Sequence, residues 1–205
     1  MFVGYDGSAG PLDDLVQREL NHRFYNSLQL VSSTLDGLAR CSASADRIPQ
    51  MLRRVQSRVL MLAEMHQLLS ASYSDTDDIA STCGTLCDLL AGAYGVPRVQ
   101  LRERIAPPRM TPATARGMML ILVELLTNAI KHGAEGELIE LEIDEPYAAV
   151  CRVRARNRSN RKSRTRAMPL IADQVAQSLG GTLDISTDDA FEAVVTFPIE
   201  RPQRH

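Results

Sequence analysis

Tryptophan is absent from this 205-residue chain, and its four cysteines include no pair separated by two residues. Cysteines this few and at these spacings exclude a disulfide scaffold and a zinc module built on paired cysteines. Cys83 and Cys87 stand one helical turn apart in an apolar segment, which predicts small residues of a protein core. The cysteine usage therefore indicates a reducing compartment.

Three further absences narrow the class of protein. The net charge of only −2 leaves no bulk attraction toward nucleic acid or a membrane surface. Residues 1–14 lack a basic start followed by an apolar run, so we expect no signal peptide. The longest strongly apolar stretch, residues 118–126, is interrupted by Glu124 and is too short to span a bilayer. We expect a cytoplasmic globular protein, with one large domain or two small ones.

The first feature that the sequence does contain is an amphipathic helix, predicted over residues 12–41. At about 100° per residue, five apolar side chains fall within roughly 40° of one direction; they are Phe24, Leu28, Val31, Leu35 and Leu38. His22 lies about 160° from that direction, on the water-facing side, and shares its face with Glu19 and Asn26. An exposed imidazole titrates near neutrality and can attack phosphoryl groups. From position alone, an incidental surface histidine is the more frequent case.

A second amphipathic helix is predicted from about residue 46 to Leu69, after a short polar break. Its apolar residues, again three and four apart, are Ile48, Leu52, Val55, Val59, Leu62 and Leu69. His66 falls within this seam, which predicts a packed, structural histidine. The short connection makes the helices antiparallel neighbours, but two helices cannot cover both seams from water. We therefore predict a homodimer in which two hairpins form a four-helix bundle.

Helices and strands alternate after the polar segment 70–78. The expected helices cover residues 78–93, 112–132 and 168–179, and the expected strands cover 97–105, 137–143, 149–156, 182–187 and 191–199. A turn is expected at residues 144–146. Elements mixed in this way predict a two-layer α/β sandwich. The predicted fold class is α+β, with a helical hairpin over residues 1–73 and the sandwich over residues 74–205.

The predicted helix 112–132 carries two polar residues next to an apolar run. Glu124 and Asn128 are four residues apart and so project from one face. A carboxylate in apolar surroundings costs free energy unless it has a partner. A pair of oxygen ligands from Glu and Asn can hold a hydrated magnesium ion. An ordinary hydrogen bond between structural residues is an equally weighted alternative on these grounds.

Three segments, in order along the chain, resemble bacterial histidine kinases of the second HisKA type, which are related to the HWE kinases. The first follows the pattern E-x-x-H-R-x-x-N-x-L-Q-x-x-x-S-x-L, with matches at Glu19, His22, Arg23, Asn26, Leu28, Gln29, Ser33 and Leu35. The second, residues 58–69, is similar to the family's second helix, R-I-x-x-x-x-x-x-H-x-x-L. The third, residues 124–133, resembles the N box of GHKL-type ATPase domains. Together they cover nearly the whole chain.

The resemblance implies a Bergerat, or GHKL-like, fold for the sandwich and a set of functional residues. His22 would be the phosphorylated residue, and its catalytic site would include three neighbours from the same box, Glu19, Arg23 and Asn26. Asn128 would be the position linked to magnesium. Two residues of the same helix, Glu124 and Lys131, would lie beside the phosphates of ATP.

The chain departs from the family at the next nucleotide-binding box, D-x-G-x-G. By strand register the aspartate position falls at Asn157, and the glycine positions fall at Ser159 and Arg161. This register assumes three inward residues on the strand, Cys151, Val153 and Ala155. Asn157 can still accept a hydrogen bond from an amine, although more weakly than a carboxylate. Side chains at the glycine positions obstruct the approach of backbone to ligand, and residues 165–170 contain no glycine where a second glycine-rich segment is expected.

A basic stretch takes the place of the nucleotide lid, with residues Arg152, Arg154, Arg156, Arg158, Arg161, Lys162, Arg164 and Arg166. A run of one charge is typical of a solvated, mobile loop, which is the favoured interpretation. The alternative is a basic surface for a nucleotide, a phosphate or an acidic partner. Nucleic-acid binding is disfavoured because no aromatic residues interleave with the charges.

These features leave three functional hypotheses. The first is a histidine phosphotransfer protein in which His22 carries a phosphoryl group between the aspartates of response-regulator receiver domains, with no cofactor of its own. The missing glycines favour it, and so does the short stretch 1–11 before the first helix, which leaves no room for an input domain. The second, favoured by the N box, is a histidine autokinase or kinase core that uses ATP and magnesium. The third is a non-catalytic scaffold that sequesters a regulator.

Overall fold

The computed structural model describes residues 48–70, 76–97, 100–132, 137–157, 170–186 and 191–199, together with separate residues between 14 and 36. Each of those separate residues is helical, which agrees with the predicted first helix. The four residues of the predicted phosphoacceptor site, Glu19, His22, Arg23 and Asn26, lie outside the described residues.

The described residues from 48 onward form helices on one side of a mixed sheet. The helices are α1 (Ile48–Ser70), α2 (Thr76–Tyr94), α3 (Pro112–His132) and α4 (Leu170–Ser178). The strands are β1 (Leu101–Ile105), β2 (Ile139–Tyr147), β3 (Val150–Asn157), β4 (Thr182–Ser186) and β5 (Phe191–Pro198). The sheet order is β1-β2-β3-β5-β4, with β1 parallel to β2 and the other neighbours antiparallel. The predicted α+β class is confirmed.

Strand β3 shows why the sheet has one buried face. Cys151, Val153 and Ala155 are fully buried, while the arginines between them are half-buried on the opposite face, as the two-residue period of a strand requires. The apolar face packs against α2, α3 and α4. The predicted inward register of this strand is therefore confirmed.

The core also contains the two free cysteines of α2. Cys83 and Cys87 are fully buried, as the helical spacing predicts. Burial raises the pKa of the Cys83 thiol to about 12 and raises the pKa of Cys151 as well. Thiols held in this protonated form behave as small apolar residues and not as nucleophiles.

Helix α3 lies at the centre of the fold. Pro112 occupies its first position, and the backbone N–H of Thr114 donates to the Thr111 hydroxyl at 3.3 Å, which satisfies one of the free donors at the helix start. Every residue from 117 to 129 is buried except Glu124. Within the described part of the chain, α3 is the helix long and apolar enough to cross a membrane, but its burial is that of a core helix.

The C-terminal half of α1 shares this core. Leu62, Met65 and Leu69 are buried in it. His66 follows Met65 by one residue, about 100° around the helix, and its side chain is exposed. The prediction that His66 is packed was therefore wrong for this chain, because the buried stripe runs through Met65.

The N-terminal half of α1 carries apolar side chains that are partly exposed. Ile48, Leu52 and Val59 are 37%, 47% and 41% exposed. Leu28, from the predicted seam of the first helix, is 38% exposed. The predicted seam of α1 is thus partly exposed at Ile48, Leu52 and Val59, while its members Leu62 and Leu69 are buried in the core.

The turn between β2 and β3 comes later than predicted. Strand β2 does not end at residues 144–146 but continues to Tyr147, with a register shift after Asp144, so that Pro146 falls at a bulge where a strand tolerates proline. The chain turns at Ala148 and Ala149. Ala149 has a φ of 59°, which is unusual for a residue with a Cβ, and its N–H donates to the Glu145 carboxylate at 2.8 Å.

Two glycines end helix α4, as the sequence predicts. Gly180 has a φ of 73°, and the N–H of Gly181 donates to the Ala176 carbonyl at 2.8 Å, which is a common way to close a helix. A Cβ on Gly181 would lie 2.2 Å from the Thr196 carbonyl oxygen and 2.6 Å from the Phe197 Cβ. Strand β5 therefore approaches this position too closely for any larger residue.

We predict that Gly181→Ala lowers the free energy of unfolding by roughly 1–3 kcal/mol, the usual cost of overpacking. The matched control is Gly84→Ala in α2, where an added Cβ meets nothing within 4 Å and should raise stability by about 0.5–1 kcal/mol. Urea unfolding followed by circular dichroism measures both. Equal stability of the two variants would contradict the close approach of β5.

Candidate active site

The end of β3 meets the C-terminal half of α3. Asn157, the last residue of β3, is 1% exposed, because the alternation that buries Ala155 also turns Asn157 toward the helices. Its Nδ2 donates to the carbonyl of Ala129 at 3.0 Å. Ala129 directly follows Asn128, so two of the predicted nucleotide-site residues, 29 positions apart in sequence, are brought to one place.

Only half of the Asn157 amide is used in this contact. A carbonyl can only accept, so Ala129 fixes the amide with its nitrogen toward the helix and leaves the oxygen on the other side. That oxygen, Oδ1, is buried and has no hydrogen-bond partner among the described residues. A buried acceptor in this condition costs about 1–3 kcal/mol. A ligand that donates a hydrogen bond would recover that cost.

Glu124 and Asn128 form the pair that their spacing predicts. The Nδ2 of Asn128 donates to Oε1 of Glu124 at 3.1 Å. Asn128 is buried, and Glu124 is half-buried within the apolar run of α3. The carboxylate thus has a partner in apolar surroundings, which reduces the cost of placing it there.

The same pair suits a magnesium ion that keeps most of its water. The available ligand atoms are the carboxylate oxygens of Glu124 and the amide oxygen of Asn128, which are hard donors of the kind magnesium prefers. In the described part of the chain, no three His, Cys, Asp or Glu side chains gather into a metal-binding cluster. An ion held by few protein ligands, as magnesium usually is beside phosphates, fits this donor set.

Lys131 lies three residues beyond Asn128 at the end of α3 and is exposed. Its Nζ lies over the ring of Tyr94, 5.9 Å from the ring centroid, within the range of a cation–π contact. Tyr94 is the last residue of α2, so this contact joins the ends of two helices. Sequence reasoning did not find Tyr94, because helical spacing does not reveal which residue of another helix lies opposite.

The first arginines of the basic stretch belong to β3 and not to a loop. Arg152 donates to both carboxylate oxygens of Asp144, at 2.9 and 2.6 Å, and this bonding raises the pKa of its guanidinium. Arg154 forms ion pairs with Glu192 and Glu142. The prediction of a solvated loop was wrong for these residues, since neighbouring strands supply their counter-charges. Residues 158–169, with the glycine positions of the family's box, lie outside the described residues.

Comparison of the sequence with known protein families gives a match. The sequence profile of the HisKA_2 family, described as histidine kinase, matches residues 19–94. Over these residues the chain is therefore similar to the HisKA_2 histidine kinases. The matched segment includes the predicted phosphoacceptor box and ends at Tyr94, whereas α3 and the sheet lie beyond it.

A curated relative extends the likeness over more of the chain. The blue-light-activated histidine kinase of Brucella anthropi is 30% identical over 122 residues, which is 58% of this chain. This chain spans only 23% of the length of that relative.

Solved structures share the fold. The histidine kinase domain of an Erythrobacter litoralis blue-light-activated histidine kinase aligns with a TM-score of 0.52 at 19% identity, over 93% of this chain and 94% of that one. A bacterial phosphotransferase aligns with a TM-score of 0.51 at 11% identity, over 95% of this chain and 100% of that one. The fold is that of histidine kinase domains, and a phosphotransferase has it too.

The Asn157 contact gives a prediction about stability. In Asn157→Asp, a carboxylate would face the Ala129 carbonyl with no donor between them, and we expect a loss of about 1–3 kcal/mol at pH 7. Burial raises the pKa of such a carboxyl, so the loss should shrink as the pH falls through that raised pKa and the protonated acid donates again. Denaturant unfolding at pH 7 and pH 5 measures this.

The matched control is Asn21→Asp, at an exposed helical position. It should change the free energy of unfolding by less than about 0.5 kcal/mol at either pH. A loss in Asn157→Asp that does not depend on pH would argue against the hydrogen bond as its cause.

Proposed function

We propose that this chain contains the catalytic core of an ATP-dependent histidine kinase, in which His22 receives the γ-phosphoryl group of ATP. The observation that carries the proposal is the buried, unpartnered Oδ1 of Asn157 beside Asn128. The exocyclic amine of adenine is a donor that fits such an acceptor. The family of residues 19–94 and the curated relative support the same function.

Each polar residue around α3 has a use in this proposal. Asn128 and Glu124 would hold magnesium through their oxygen atoms, and Lys131 would offer positive charge to the phosphates. When bound, magnesium supplies charge neutralisation for a phosphoryl group in transfer. Asn157, at the end of strand β3, would accept a hydrogen bond from the exocyclic amine of adenine.

In the transfer, an imidazole nitrogen of His22 would form a bond to the γ-phosphorus. The bond from that phosphorus to the oxygen bridging to the β-phosphate would break, and ADP would leave with the electron pair. By helical spacing, Glu19 shares the face of His22 and could take the proton from the imidazole. Arg23 and Asn26 complete the group of polar residues from the same box. The family implies that the phosphoryl group then passes to the receiver aspartate of a response regulator, in a cytoplasmic setting.

We predict that the purified protein incorporates label from γ-labelled ATP and magnesium, and that the label is acid-labile as a phosphohistidine should be. His22→Gln should abolish it, because the accepting nitrogen is gone. Asn128→Ala should reduce the rate at least about tenfold, the usual cost of weakening a metal site. Filter binding at neutral pH, with a parallel acid wash, measures both.

The matched control is His66→Gln, which removes the exposed histidine of α1 and should leave the labelling unchanged. Labelling that survives His22→Gln would contradict the assignment of the acceptor. Absence of label from ATP in the wild-type protein would contradict the kinase itself.

A histidine phosphotransfer protein is the second candidate. It is favoured by the absence of glycine from residues 137–179, where nucleotide-binding relatives need a flexible backbone near the phosphates. In this case His22 would gain label from a phosphorylated receiver domain and not from ATP. A protein that takes label from neither donor would be a scaffold.

We further propose that the chain is a homodimer. The support is the exposed N-terminal part of the α1 seam, with Leu52 47% exposed and Val59 41% exposed, which a second copy of the same helices would cover in a bundle.

We predict a dimer by size-exclusion chromatography with light scattering at micromolar concentration. Leu52→Glu and Val59→Glu together should give monomers, because two carboxylates would enter the seam. Tyr147→Glu, at a side chain 77% exposed on the β2–β3 hairpin, should remain dimeric. A wild-type monomer under these conditions would contradict the proposal.

A further inference from the structure

We infer that Tyr94 is a positioning residue for nucleotide binding, because its ring holds the ammonium of Lys131 beside Asn128. This inference rests on the proposed nucleotide site. Tyr94 itself has no place in the proposed chemistry: its ring would act on the phosphates only through the lysine that it holds.

To bind phosphate at this position, the ammonium of Lys131 has to be kept in one orientation. Its side chain has four rotatable bonds and projects from the exposed end of α3, so fixing the ammonium costs rotamer entropy. Among the described residues, its ammonium contacts the face of the Tyr94 ring and no carboxylate is paired with it. A neutral ring orients the ammonium without neutralising its charge, whereas a carboxylate would compete with phosphate for it.

The position of Tyr94 is itself fixed by the end of α2. Gly95, with a φ of 69°, allows the N–H of Val96 to donate back to the carbonyl of Ala91 at 2.8 Å. This bond spans five residues, as in the Schellman end of a helix. Tyr94 is therefore the last helical residue before a turn closed by a backbone hydrogen bond, and the residue is 38% exposed.

The direction of Lys131 agrees with the proposed site. Residues three apart on a helix are surface neighbours, so Lys131 lies on the same side of α3 as Asn128. Tyr94 approaches from α2, while Asn157 approaches from β3. The two contacts therefore reach the C-terminal end of α3 from different elements.

The experiment is a double-mutant cycle on binding, measured by calorimetry with ATP and magnesium. Tyr94→Leu removes the ring and should raise the Kd for ATP about two- to fivefold, the effect of an exposed cation–π contact. Tyr94→Phe keeps the ring and should bind as the wild type does. In the Lys131→Met background, Tyr94→Leu should have no further effect, because the two residues act as one unit.

Adenosine is the control ligand, since it has the base but no phosphates. Its Kd should be unchanged by Tyr94→Leu. An equal loss for ATP and adenosine, or the same loss with and without Lys131, would overturn the inference and leave a packing role for Tyr94. If the wild-type protein binds adenosine but not ATP, Lys131 has no phosphate to meet and the inference fails. If it binds neither, the proposed function fails first, and the inference falls with it.

Discussion

Helix α3 is enclosed by α1, α2, α4 and the sheet over most of its length. This enclosure limits which residue types the helix can carry. A helix surrounded by protein has to be apolar on every side. Glu124 and Asn128 depart from that requirement, and they do so together, one turn apart and hydrogen-bonded. Local departures of this kind are expected at functional sites, which supports the proposal that this pair binds magnesium.

The hydrogen bond from Asn157 to the Ala129 carbonyl connects the two layers at the same place. It also explains what asparagine can do here that aspartate cannot. An ionised carboxylate at the end of β3 would have no proton to give the carbonyl, and two acceptors would face each other. The amide donates to the helix carbonyl through its nitrogen, and its oxygen has no partner among the described residues. The cost is a weaker acceptor, because a neutral amide binds an amine less strongly than a charged carboxylate does.

The sequence predicts the parts of this arrangement that follow from periodicity. The two-residue period of β3 places Asn157 on the buried face, and the four-residue spacing in α3 pairs Glu124 with Asn128. It does not predict the contacts that depend on tertiary packing. The acceptor for Asn157 is a backbone carbonyl, which no residue type reveals, and the meeting of Tyr94 with Lys131 depends on how α2 lies against α3.

The same limit explains the incorrect predictions. His66 has the right spacing for the apolar seam, but the angle at which α1 meets the core selects Met65 instead. The arginines of β3 look like a charged loop when read alone, since their counter-charges lie on β2 and β5. In each case a second element, distant in sequence, decides the environment of the residue.

The fold alone does not separate a kinase from a phosphotransferase, since solved examples of both align with this chain to similar extents. The two functions would use His22 in the same way and differ in the source of the phosphoryl group. Only a kinase has a use for a nucleotide site. A protein that received phosphate from another protein would gain nothing from a buried acceptor without a partner, which lowers stability, nor from a carboxylate inside its most enclosed helix. The buried Asn157 oxygen and the Glu124 carboxylate lie near the same part of α3, because Asn157 contacts Ala129 and Glu124 is bonded to the neighbouring Asn128. Their presence together favours the proposal of a site that binds ATP.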